Sequence, residues 1–137
     1  LKMGRVFFNT RKNIVDVAAA KTLIASDSGS VFNINQASAY EITLPLSTTI
    51  EKGWNATFVI GTAAANAVTI ANHTDEDKII GGVAGHDGNA STASESAVDE
   101  IVFISGAVVG DTCDVLYNGT NFIVTGLAGD AAHITVS

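Results

Sequence analysis

The chain has 137 residues and a formal net charge of −7, and only 15% of its positions are charged, against about a quarter in typical soluble domains. That length suffices for one domain with a real core, and the acidity excludes a general nucleic-acid binder, because phosphate contacts need Lys and Arg. Val and Ile are plentiful and Leu scarce, a bias toward side chains that are stiff at the first torsion and suit a pleated surface, so the composition points to an all-β chain.

The first 21 residues read as a basic, extended arm. Lys2, Arg5, Arg11, Lys12 and Lys21 stand there against Asp16 alone, whereas Lys52 and Lys78 face thirteen carboxylates in residues 22–137. Such an asymmetry marks a segment with its own partner. Within the arm, Arg5-Val6-Phe7-Phe8 precedes a polar break over residues 9–13, and Ile14-Val15-Asp16-Val17 follows. Ala18-Ala19-Ala20 could open a short helix, although no helical period continues it.

From Thr22 the pattern becomes strand, turn, strand. Thr22-Leu23-Ile24 leads into a turn at Ser26-Asp27-Ser28-Gly29. Residues 31–35 alternate, with Val31 and Asn33 on one face and Phe32 and Ile34 on the other. Tyr40, Ile42 and Leu44 share a face of the next strand, which Pro45 ends or leaves at an edge, since proline donates no ladder hydrogen bond. Residues 56–60 and 67–71 predict two more strands, and Lys78-Ile79-Ile80 a short one. Residues 81–96, rich in Gly, Ser, Ala and Asn, read as the longest irregular segment. Residues 100–104 then form a strand, and residues 114–117 and 122–125 flank Asn118-Gly119-Thr120-Asn121, whose Asn-Gly pair suits a tight hairpin. Residues 134–136 close the series. No internal repeat is evident, and about ten short antiparallel strands favour a jelly-roll-like sandwich or a barrel. The expected division is therefore an arm over residues 1–21 and a single β domain over residues 22–137.

Several residue groups invite a chemical reading. His73-Thr74-Asp75-Glu76-Asp77 supplies hard oxygen ligands of the kind calcium takes, but lacks the glycine and terminal Glu of an EF-hand loop, so a solvated acidic loop is the simpler expectation. Gly81-Gly82-Val83-Ala84-Gly85-His86-Asp87-Gly88 is not followed by Gly-Lys-Ser/Thr or a helix pattern, as a phosphate loop would be. Cys113 is the single cysteine, so no intrachain disulfide forms, and its place in a strand suits a small buried hydrophobe. His73, His86 and His133 have neither zinc-ligand spacing nor an evident orienting partner for a Cys113 nucleophile. Asn55, Asn72, Asn89 and Asn118 match the N-glycosylation pattern, which carries little weight without a secretion signal. The amino terminus lacks that signal's charged-then-apolar layout, and no apolar run approaches the ~20 residues of a membrane span.

The order of segments resembles a known group. Asp27-Ser28-Gly29-Ser30-Val31-Phe32-Asn33-Ile34, Tyr40-Glu41-Ile42-Thr43-Leu44-Pro45, Ala56-Thr57-Phe58-Val59-Ile60, Ile79-Ile80-Gly81-Gly82 and Val109-Gly110-Asp111 occur in sequence. Tyr117-Asn118-Gly119-Thr120-Asn121-Phe122-Ile123-Val124-Thr125-Gly126 ends the series. Over about residues 22–137 this resembles the capsid decoration or capsid-stabilising proteins of tailed bacteriophages, of the marine and cyanobacterial type. Many relatives carry Trp where Phe122 stands here.

The resemblance implies a jelly-roll-like fold and a trimer on the outer shell of the phage head. The expectations are thus a non-enzymatic virion protein without cofactors, whose partners are the major capsid protein and its own copies, with no nucleic-acid or membrane partner. In the arm, Lys2, Arg5, Phe7, Phe8, Arg11 and Lys12 are the expected partner-binding residues, combining charge with an aromatic anchor. The alternatives are a tail or fibre module that binds a host receptor or glycan, and a free carbohydrate-binding domain. With two Tyr and one Trp, the chain has few rings to stack on sugars.

Overall fold

Alternation of buried and outward side chains organises almost every segment of this chain. The computed structural model describes residues 11–74, 76–88 and 94–137. In chain order the strands are β1 (Ile14–Val17), β2 (Lys21–Thr22), β3 (Ser30–Asn35), β4 (Tyr40–Thr43), β5 (Asn55–Thr62) and β6 (Val68–Ala71). They continue with β7 (Ile79–Gly85), β8 (Ser94–Val98), β9 (Glu100–Phe103), β10 (Thr112–Tyr117), β11 (Phe122–Ala128) and β12 (Ile134–Val136). Seven strands form one sheet in the order β1-β3-β5-β10-β11-β7-β8, and five form a second in the order β12-β9-β6-β4-β2. The result is an all-β sandwich.

One core lies between the sheets. In β3, Phe32 and Ile34 turn inward as the alternation predicts, and in β4 Ile42 is fully buried, with Leu44 just beyond. Phe32 and Phe58 stack with ring centroids 5.3 Å apart, and Trp54 and Phe122 form a T-shaped pair with centroids 6.1 Å apart. Rings at such separations add to the burial term, which is about 1.5–3 kcal/mol for a large apolar side chain. The buried Trp54 indole N–H donates to the Ile24 carbonyl at 3.2 Å, so its polar edge is satisfied. The hairpin forms where it is expected: β10 and β11 pair antiparallel up to Tyr117–Phe122, and Asn118 Oδ1 accepts from the amides of Thr120 and Asn121. Gly119 supplies the positive φ of 99°.

The pairing differs from the expected antiparallel strands. Among the described residues five pairings are parallel, namely β1–β3, β3–β5, β2–β4, β4–β6 and β7–β11. Through its first half the chain winds: β1, β3 and β5 lie side by side in the large sheet, β2, β4 and β6 in the small one. A parallel neighbour needs a long crossover. Here the crossover is a strand of the opposite sheet instead of a helix. Alternation with period 2 is the same for both directions, which is why the sequence reading missed it.

Residues 81–96 also depart from expectation, since they contain most of β7 and three residues of β8. A Cβ at Gly81 would stand 2.2 Å from the Val124 carbonyl oxygen, and one at Gly85 would stand 2.6 Å from the Ala131 amide. The glycines admit a neighbouring backbone, a use that composition does not distinguish from a flexible loop. Residues 18–20 form no helix; the helical turns among the described residues are the single ones at Ala25–Asp27, Ser47–Thr49 and Ala131–His133.

Candidate interaction surface

The outward face of the seven-stranded sheet is built from the other parity of the same strands. Register places Ile14, Val31, Thr57, Asp114, Thr125 and Gly82 in one row across it. A second row holds Asp16, Asn33, Val59, Thr112, Leu127 and Ala84, and a third holds Asn55, Leu116, Ile123 and Ile80. Seven of these residues are large aliphatics, and Ile14, Leu116 and Leu127 are 63%, 47% and 54% exposed. The two carboxylates in these rows are each held by a neighbour: Asn33 Nδ2 donates to Asp16 Oδ1 at 2.8 Å, and Thr57 Oγ1 donates to Asp114 Oδ1.

At one end the apolar surface continues onto the loop before β10. Val108 and Val109 are 44% and 65% exposed there and, with Leu127 and His86, line a hollow of about 280 Å³. Asp111 holds this loop in place. Its buried carboxylate accepts from the amides of Val108 and Gly129, each at 2.8 Å, and meets His133 Nδ1 at 2.7 Å. Sequence reasoning assigned His133 no partner. The pairing joins residues 22 apart in the chain, which no local pattern reveals.

The five-stranded sheet presents a different outer face. Its rows are Thr135, Val102, Thr69 and Glu41, then Glu100, Ala71, Thr43 and Thr22. Threonines and two carboxylates suit water, so the two outer faces of the sandwich are chemically unequal. The signal was present in the sequence: in Val115-Leu116-Tyr117, Phe122-Ile123-Val124 and Ile79-Ile80 both parities are apolar, as in strands covered on both sides.

The expected arm is divided. Lys2, Arg5, Phe7 and Phe8 lie outside the described residues, while Arg11 and Lys12 are exposed just before β1. Among the described residues sheet pairing begins with the Asn13 carbonyl, which accepts from Val31 N at 2.8 Å. Val17 is in the core and its carbonyl accepts from the Tyr40 hydroxyl at 2.7 Å. The boundary drawn after residue 21 therefore falls inside β2, and residues 14–17 belong to the sandwich. Arg11 and Lys12 leave from the edge strand of the large sheet, beside Ile14 on the apolar face.

The remaining candidates resolve individually. Asp75 lies outside the described residues, and Glu76 is no solvated loop residue: its side chain, 10% exposed, accepts from Ser47 N at 3.1 Å and from Ser47 Oγ, with Lys78 Nζ 3.6 Å away. It clamps the 47–49 turn to the approach to β7. Asp77 sits beside Asp99, which raises the Asp77 pKa by hydrogen bonding first and by charge repulsion second. Among the described residues no three metal-ligating side chains come together. The Gly81–Gly85 part of the glycine-rich run is strand paired with β11. Cys113 faces the core with no exposure, and burial pushes its thiol pKa far up, aided by the charge of Asp114. Asn72 is buried with Nδ2 donating to the Val98 carbonyl at 2.8 Å, and Asn89 is outside the described residues.

Compared with known proteins, the chain matches no family model, no curated protein and no solved structure.

Proposed function

We propose that this protein is a non-catalytic structural component of a phage virion, bound to the outer surface of the head as a homotrimer and stabilising the shell. The observation that carries the reading is the wide aliphatic outer face of the large sheet, on a chain that is otherwise acidic and rich in Thr, Ser and Asn. The strand and turn order quoted above supports it, since it resembles that of capsid decoration proteins. A face of this kind works by burial and needs no chemistry. A multivalent protein seated across capsomer boundaries adds contact area that is lost when the shell opens, so its binding favours the closed shell by mass action. The basic segment around Arg11 and Lys12 leaves from the rim of this face and supplies charge for steering toward the major capsid protein.

The glycan-binding alternative has less to stand on. Trp54 and Tyr117 are 4% and 6% exposed, in the core, and the Tyr40 hydroxyl is engaged by Val17. Rings that stack on sugars need an open face.

The test is localisation. Labelled protein imaged on intact particles should decorate the head surface in many copies. Label confined to the tail would overturn the head assignment, and absence from particles would overturn the virion reading.

A further inference from the structure

We propose that the outer face of the seven-stranded sheet packs against other copies of this chain, each face turned to the trimer axis and meeting the same face of its neighbours. The inference deepens the homotrimer reading and rests on it, assigning the subunit contact to this face and leaving the shell contact to the basic segment before β1.

Three observations favour a like partner. The first is charge. The chain has fourteen carboxylates, and copies meeting through most of its surface would set like charges together. In the three rows from β1 to β7 the carboxylates are Asp16 and Asp114, and each already accepts a hydrogen bond from its own chain. A basic partner would be better met elsewhere on the molecule.

The second is area. Seven strands about 4.8 Å apart and roughly 17 Å long make a flat area on the order of 550 Å² before side-chain relief is counted. Stable pairs bury about 800 Å² per partner. The exposed Val108 and Val109 extend the same surface and bring it toward that size.

The third is pattern. β5, β7, β10 and β11 all carry aliphatic residues on both parities, the mark of strands covered on both sides, while in the outward rows of the small sheet Val102 is the one large aliphatic among threonines, an alanine and two carboxylates. The midline of the face runs through Leu116 and Thr125, both exposed, so a charge or a cross-linker placed there reaches the contact without entering the core.

Light scattering at micromolar concentration should return a multiple of 14.0 kDa for the native chain. Leu116→Glu combined with Leu127→Glu should return the monomer mass, and Val102→Glu on the small sheet should leave the assembly intact. Circular dichroism and thermal unfolding will show that the variants are folded. As a second measurement, Thr125→Cys should give covalent dimers with a short bis-maleimide while Thr135→Cys does not, Cys113 being buried and silent. A native chain that is monomeric alone, or a doubly charged variant that keeps its mass, would overturn the inference. If the native chain is monomeric and the charged variant loses particle binding, the face belongs to the shell contact: the inference fails and the decoration reading stands. Assembly lost on charging the face, in a native protein that never binds particles, would sink the decoration reading alone.

Discussion

Asp111 shows how a single side chain organises a surface it does not belong to. A carboxylate 2% exposed is tolerated because two backbone amides and His133 surround it, and together they tie residue 108, residue 129 and residue 133 to one point. Asp111→Ala would leave two amides unpaired and release the Val108-Val109 loop. We expect a loss of about 2–4 kcal/mol in chemical denaturation for Asp111→Ala, and about 1–2 for His133→Ala, which removes one partner of three. Equal, negligible effects from both would refute this role. Asp77 makes a prediction of opposite character. Its pKa is raised in the folded state by Asp99, so the native state holds a proton there that the unfolded state releases. Its contribution is therefore present at low pH and lost as pH rises through the folded pKa, above the ordinary value of 3.8. Asp77→Asn should flatten that part of a melting-temperature profile, just above about pH 4. An unchanged profile would show that the pair does not interact in solution. The Asp111–His133 and Asp77–Asp99 pairs were not legible in the sequence, because each joins residues more than twenty apart.

At the scale of elements, β7 and the amino-terminal segment show what period and composition do and do not decide. The alternation in β3 and β10 is readable because each buries one parity completely, and in β4 and β11 because Ile42, Phe122 and Val124 stand on the buried parity. In β7 the same rule is hidden, since Gly81 and Gly85 stand where a Cβ would strike Val124 or Ala131. Charge alone marks the amino-terminal segment as one arm, but Val15 and Val17 pack with the core, and among the described residues the ladder begins at Asn13. This gives the arm hypothesis a clean test. Deleting residues 1–12 removes no paired strand among the described residues, so the variant should keep the native melting transition within a few degrees. It should bind particles poorly, measured as occupancy by co-sedimentation. Full occupancy after that deletion would remove the basic segment from the mechanism.

For the whole molecule, the decisive property is the inequality of the two outer faces. A sandwich of this size buries its core between sheets whatever their outward residues are, so the aliphatic side of the large sheet is surplus to folding and available for assembly. The proposed division of labour, copies meeting on that face and the basic segment reaching the shell, makes subunit mass and particle occupancy separately measurable. By itself the sequence determined the all-β class, the inward parity of most strands, the hairpin at residues 118–121 and the burial of Cys113, because these depend on side-chain type and spacing within a few residues. Tertiary structure alone decided the parallel winding of β1 to β6, the Asp111–His133 pair and the gathering of Ile14, Leu116 and Leu127 onto one face. Those depend on which strands become neighbours, and strand order is settled by crossovers and packing between residues far apart in the chain, where a period of two is silent.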